Sequence, residues 1–242
     1  MKLGAFIATL AAFALVGAAT NAPAHASSLM GYYYMVPNAH PDVQNGIDGN
    51  SVTGLVAATI GPNGLPVATA FAQAYAGPSG PITDIDSITS EILWWSTAGQ
   101  GVLFEKSQVD FLPFNYVNFF PDSETSNSNF FRAVHWTGVF NLPAPGSVTF
   151  SLGADDDAWI FVNGQLQVDN GGVKDLDFVP NVISGLSAGV HTVDIFYIDR
   201  HTSLAEIRLS ADIELQPVPE PTTFALAGLG LAGIAKMRNR RK

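Results

Sequence analysis

From Ala205 to Leu215 apolar and polar side chains alternate without a break. Ala205, Ile207, Leu209, Ala211, Ile213 and Leu215 are apolar, and Glu206, Arg208, Ser210, Asp212 and Glu214 lie between them. Side chains of a strand point to opposite faces in turn, so this period predicts a half-buried antiparallel strand and argues against a helix. Val148, Phe150 and Leu152 repeat the pattern against Ser147, Thr149 and Ser151, after the loop Pro143-Ala144-Pro145-Gly146. Further strand-like runs fall near 52–60, 66–73, 102–108, 130–140, 158–163, 178–184 and 190–198, bounded by Gly, Pro, Asn and Asp. Long amphipathic helical patterns are scarce, no internal repeat is visible, and only Asp122 to Asn129 reads as a low-complexity loop. Many short strands at this spacing predict an all-β, antiparallel sandwich.

Both ends differ from this pattern. Residues 1–26 hold Lys2, an apolar run from Leu3 to Ala18, and Ala24-His25-Ala26, the small-x-small pattern of a signal peptide, which sets a domain over 27–217. Residues 218–242 hold Pro219-Glu220-Pro221, fourteen uncharged residues from Thr222 to Ala235, and then Lys236, Arg238, Arg240, Arg241 and Lys242. Fourteen helical residues reach about 21 Å, short of the roughly 30 Å hydrocarbon core, and the basic cluster favours the cytoplasmic side. This tail resembles the PEP-CTERM sorting signal of exopolysaccharide-producing Gram-negative bacteria, with Pro219, Glu220 and Pro221 as its motif. The resemblance implies transient inner-membrane insertion of a hydrophobic sorting helix, processing by an exosortase, and delivery to the cell surface or extracellular matrix.

Composition narrows function. Of 242 residues, 47% are apolar and 13% charged, against about 25% charged in ordinary soluble domains. The absence of cysteine excludes a disulfide scaffold, a thiol nucleophile and a thiolate zinc site. Removing Lys2 and five tail residues from 11 basic residues, and Glu220 from 21 acidic ones, leaves 5 against 20, a net charge of −15. Such an excess suits divalent cations or neutral polyols and disfavours nucleic acid.

The segment Gly153 to Gly172, GADDDAWIFVNGQLQVDNGG, is the most informative. Three consecutive aspartates at a strand junction repel one another unless neutralised or hydrated. A cluster of hard oxygen ligands suits calcium, and a solvated acidic turn is the plain alternative. Asn163-Gly164 predicts a type I′ hairpin with a return strand from Gln165 to Val168, and Asp169-Asn170-Gly171-Gly172 adds a carboxylate and an amide at the next turn.

This segment resembles the signature of the fibro-slime domain, a relative of the lectin-like β-sandwich named after anthrax protective antigen. His40-Pro41-Asp42, Thr53 to Val56, Gly64 to Val67, Phe119-Phe120-Pro121, Leu186 to His191 and Phe196 to Thr202 extend the resemblance over about residues 38–215. It implies a Greek-key sandwich used in adhesion or surface recognition, probing an extracellular polysaccharide or other glycan. By the same resemblance, Asp155 and Asp156 hold calcium, with Asp157 as the third aspartate; Asp169 is a further candidate metal ligand, and Asn163, Asn170, Arg200 and His201 are candidate ligand contacts, with a structural ion pair or turn as the alternative for Asp199-Arg200-His201. Lys174 stands where the family typically has histidine, so a role for that position does not carry over.

Catalytic readings are weaker. Gly185-Leu186-Ser187-Ala188-Gly189 spells a nucleophile elbow, but a strand pattern follows it where the elbow needs a helix. His40, His135, His191 and His201 lack zinc-site spacing. A glycoside hydrolase would pair carboxylates among Glu91, Glu105, Glu124, Glu206 and Glu214, of which Glu206 and Glu214 lie on the polar face of their strand. Trp136 and Trp159 are expected in the core, whereas Trp94-Trp95, on opposite strand faces, would leave one ring exposed to sugar. The expectation is a non-catalytic, calcium-dependent adhesion module, with a structural matrix protein as the alternative and a glycoside hydrolase after it.

Overall fold

The computed structural model describes residues 26–44 and 46–218. Residues 1–25 of the expected signal peptide (1–26) and the tail motif Pro219, Glu220, Pro221, with all that follows it, lie outside the described residues. Twelve strands run in chain order: β1 (Ser28–Pro37), β2 (Val56–Ile60), β3 (Pro66–Ala68), β4 (Leu103–Phe111), β5 (Phe114–Val117), β6 (Phe130–Leu142), β7 (Gly146–Asp155), β8 (Asp157–Val162), β9 (Gln165–Asn170), β10 (Val179–Leu186), β11 (Gly189–Ile198) and β12 (Glu206–Ala211). They form an antiparallel sandwich of an eight-stranded sheet, ordered β3-β2-β9-β8-β11-β6-β1-β4, and a four-stranded sheet, ordered β10-β7-β12-β5.

Two cores share the larger sheet. Val134, Trp136 and Phe140 of β6, Ile160 and Val162 of β8, and Ile195 and Tyr197 of β11 face the smaller sheet and pack on Phe150, Leu152, Ile207 and Leu209. Their neighbours one residue along, Phe131, Ala133, Trp159, Phe161, Phe196 and Ile198, face the other way. That second face is covered by the long segment between β1 and β4, which brings Val43, Leu55, Trp94 and Trp95 onto it. A strand buried on both faces has no need of polar alternation. This accounts for the unbroken Ala158-Trp159-Ile160-Phe161-Val162 run, while β7 and β12 keep their alternation.

The covering segment is mostly irregular, and buried acids pin it. Asp42 accepts hydrogen bonds from Thr83 N (2.9 Å), Asp84 N (3.0 Å) and Trp94 Nε1 (2.9 Å). Glu91 accepts from Asn63 N at 2.7 Å and Thr89 Oγ1 at 2.8 Å. Each carboxylate thus pairs backbone donors that the segment leaves outside any sheet.

Several boundaries differ from the sequence expectation. The 66–73 run divides into β3 and a four-residue helix, α1 (Ala70–Gln73), because Thr69 Oγ1 accepts the Ala72 N–H and caps it. The alternating run from 205 ends as a strand at Ala211, where the Asp212 carboxylate turns back onto Thr149 N at 2.7 Å. Trp94 and Trp95 lie in a short 3-10 turn, Leu93–Trp95, and both rings are buried, so neither is exposed to sugar. Trp136 and Trp159 are buried as expected. The Asn163-Gly164 turn joins β8 to β9 with φ of 53° and 71°, both in the left-handed region a type I′ turn needs.

Candidate functional site

The three aspartates sit where the chain crosses between sheets. Asp155 ends β7 beside Glu206 of β12, and Asp157 starts β8 beside Ile198 of β11. Asp156, between them, is joined to Asp155 by a cis peptide bond. All three are buried.

Asp156 ties three loops together. Its Oδ1 accepts the Lys174 N–H (3.1 Å), and its Oδ2 accepts the N–H groups of Arg200 (2.7 Å) and His201 (2.8 Å). Asp157 accepts Gly172 N at 2.5 Å and Arg200 Nε at 2.6 Å. The Lys174 ammonium donates to the carbonyl oxygens of Ala154 (2.9 Å) and Asp156 (2.8 Å). A fourth segment joins through Asp48, whose carboxylate takes Val173 N at 3.0 Å, and through Gln44 N, which donates to Arg200 O at 2.8 Å. Asp199, fully buried, is held by Asn127 Nδ2 at 2.6 Å, and the same amide donates to His201 O at 2.8 Å.

Charge inside this cluster is finely matched. Burial, then the neighbouring Asp156 charge, push the Asp155 carboxyl up to about 8. Burial first, then Asp157, raise Asp156, while burial first, then Asp156, raise Asp199 well above the usual carboxylate range. Burial lowers Lys174, opposed by Asp157, Asp156 and Asp155. Two cations therefore face four carboxyls, and burial favours the protonated form of Asp155 and Asp199.

Of the four carboxylates expected to bind calcium, Asp155 and Asp156 come together at one small space, and the set of four does not close into a single centre. Asp156 and Asp157 are taken up by N–H donors, and Asp169 accepts Gly54 N (2.7 Å) and Trp159 Nε1 (2.9 Å), with the Asp157 charge acting on it. Among the described residues no three metal-capable side chains form a group. The space that Asp155 and Asp156 share, lined also by Ile47, Val173, Lys174, Asp175, His201 and Ser203, is about 10 Å³, at the lower limit for a single water. This donor set does not fit the expected calcium centre.

The expected ligand contacts also separate. Asn163 lies at the far end of β8, where its Nδ2 meets His191 Nδ1 at 2.8 Å and its Oδ1 accepts Thr192 N. Five strand residues span roughly 17 Å, so Asn163 cannot share a site with Asp157. Arg200 is fully buried, with its guanidinium 5.2 Å from the Trp94 ring centroid, and holds the loop from inside instead of touching a ligand. Asn170 stays near the cluster, its Oδ1 accepting from Ser51 Oγ at 2.9 Å. His201 is half-buried at the loop surface, with Nδ1 2.9 Å from Ser203 Oγ. At the opposite end, Ser187 lies in the turn between β10 and β11, and His191 Nε2 meets its carbonyl oxygen at 2.9 Å.

Beside the tied loops lies an open groove of about 210 Å³ lined by Asn38, Gln44, Ser126, Asn127, Ser128 and Thr202. Amides and hydroxyls dominate it. Sequence reasoning missed this groove, since its residues come from three separated segments, and the Ser-Asn run at 126–129 was its only local sign.

The domain enters and leaves at the other end. Ser28 N donates to Leu215 O at 3.0 Å, and Gln216 bridges Val139 of β6. Ala133 of β6 pairs Ile198 beside the aspartates, so roughly 20 Å of strand separates the two poles.

Residues 115–216 match the PA14 domain family, and residues 217–242 match the PEP-CTERM protein-sorting motif. Among curated relatives, protein psiK of Dictyostelium discoideum is 31% identical over 109 residues, 41% of this chain and 14% of that protein. Protein psiF of the same organism is 23% identical over 216 residues, 72% of this chain and 30% of that one. The chain thus spans less than a third of the length of either. Of solved structures, a PA14 sugar-binding domain from an RTX adhesin is 15% identical, with a TM-score of 0.35, over 79% of this chain and 95% of that one. Neither matched module is catalytic, and the sorting motif marks the protein for export, as in surface and matrix proteins of Gram-negative bacteria. The chain is thus a β-sandwich whose residues 115–216 are PA14-like, followed by a PEP-CTERM sorting motif.

Proposed function

We propose that residues 27–217 form an exported recognition module that binds a neutral glycan through the polar groove beside the tied loops. An exosortase-type system handles the tail after transient membrane insertion, and the module acts in an extracellular matrix. The observation that carries this reading is the groove itself. Asn38, Gln44, Ser126, Ser128 and Thr202 present amides and hydroxyls on a frame held by Asn127, Asp156 and Arg200. Polyols are recognised by such donor and acceptor groups placed on a rigid support.

Charge supports a neutral partner. Of five basic residues in 27–217, Arg132, Lys174 and Arg200 are buried, leaving Lys106 and Arg208 at the surface. A surface so acidic repels phosphate polymers.

The test is a glycan array probed with the full chain and with Gln44→Ala/Thr202→Ala. Binding to a defined set of neutral glycans, weakened at least about tenfold in the variant, is expected, since losing two hydrogen bonds removes about 1.4 kcal/mol or more. Absence of glycan binding, with the variant indistinguishable from wild type, would leave a structural matrix protein.

A further inference from the structure

The aspartate junction is built like a cation site, and two cationic side chains of the chain itself, Lys174 and Arg200, are buried in it. Around Lys174 Nζ stand two carbonyl oxygens, those of Ala154 at 2.9 Å and Asp156 at 2.8 Å, and the charges of Asp155, Asp156 and Asp157 act on it. Carbonyl and carboxylate oxygens are the ligand types that hard divalent cations take. The lysine residue is 3% exposed, and the guanidinium of Arg200, fully buried, faces Asp157 from the other side. About 10 Å³ of space remains beside Asp155.

We infer that Lys174 is a built-in counter-ion: its ammonium takes the place of a divalent cation at the β7–β8 junction, so the loop pole is ordered without added metal.

Three features support this. The backbone of Lys174 is itself anchored, N–H to Asp156 Oδ1 at 3.1 Å, so the ammonium is delivered by a chain segment fixed at both ends of the residue. The neighbouring Val173 and Gly172 are held by Asp48 and Asp157, which prevents the segment from swinging away. The chain has five basic residues between 27 and 217, and Lys174 and Arg200 are both committed to this one buried cluster despite a large acidic excess at the surface. A metal ion entering beside Asp155 would meet the ammonium at close range, and like charges repel strongly where water is excluded.

Removing the ammonium reverses the situation. Lys174→Ala leaves the carbonyls of Ala154 and Asp156 without their donor and enlarges the space lined by Asp155, Asp156 and Asp175, with the negative charge there no longer opposed by the ammonium.

Thermal unfolding of the full chain with EDTA and with excess calcium chloride tests this, since a ligand bound only by the native state raises the melting temperature. Metal dependence is read here without any glycan, so its outcome is separate from whether the groove binds sugar. Wild type is expected to melt at the same temperature in EDTA and in calcium. Lys174→Ala is expected to melt lower in EDTA and to recover by about 5 °C or more in calcium. Lys174→Met, which keeps the volume but not the charge, is expected to melt lower than wild type and to recover less than Lys174→Ala. If both variants fail to fold, the wild-type comparison still decides. A wild-type melting temperature that rises with calcium or falls with EDTA would overturn the inference, as would a Lys174→Ala protein as stable as wild type in EDTA and unresponsive to calcium.

Discussion

Asp155 differs from Asp156 and Asp157 in what reaches its carboxyl. Backbone N–H groups and Arg200 neutralise the other two, while Asp155 has burial and like charge around it, which push it up to about 8. A carboxyl raised on folding binds its proton more tightly in the native state, so its contribution to stability is complete below the ordinary carboxylate range. That contribution falls as pH rises towards and through about 8. Wild type should therefore lose melting temperature between about pH 6 and about pH 9, and Asp155→Asn, which cannot ionise, should lose less over the same range. Melts of the two proteins across that range check it, and parallel slopes would contradict the assignment.

At the level of single elements, β7 carries a constraint that its sequence does not advertise. A Cβ built on Gly153 would stand 2.7 Å from Phe178 Cα and 2.9 Å from Asp177 O, both backbone atoms. Backbone cannot turn aside as a side chain can, so Gly153→Ala should force the segment before β10 off the sheet. The expected cost is about 1–3 kcal/mol, the usual range for overpacking, read from urea unfolding; a change below about 0.5 kcal/mol would mean that the segment packs loosely. Strands were legible where one face is wet, as in β7 and β12, or where the run is wholly apolar, as in β8. β1 was missed because tyrosines at 32, 33 and 34 serve both faces and blur the period, and β5 because four residues are too few to show one. The aspartate cluster was visible as local charge. Its partners were not, since Lys174 and Arg200 lie 18 and 44 residues from Asp156 along the chain and meet it only through the fold.

Across the whole molecule, the two poles divide the work. Entry and exit of the domain meet at Ser28, Leu215 and Gln216, while the tied loops and the polar groove lie roughly 20 Å of strand away. The groove thus lies at the pole opposite the one where the domain begins and ends. His191 and Asn163 lie towards the pole where the domain begins and ends, and bond to each other. The covering segment between β1 and β4 reaches the groove through Asn38 and Gln44, and so links the second core to the groove. Glycan recognition at the groove is checked by the affinity of the full chain for the glycan that the array selects, in wild type, in Asn38→Ala and in Val190→Ser, which is exposed at the opposite pole. Asn38→Ala should weaken binding and Val190→Ser should leave it unchanged; loss of binding through Val190→Ser, with Asn38→Ala binding as wild type, would refute recognition at the groove.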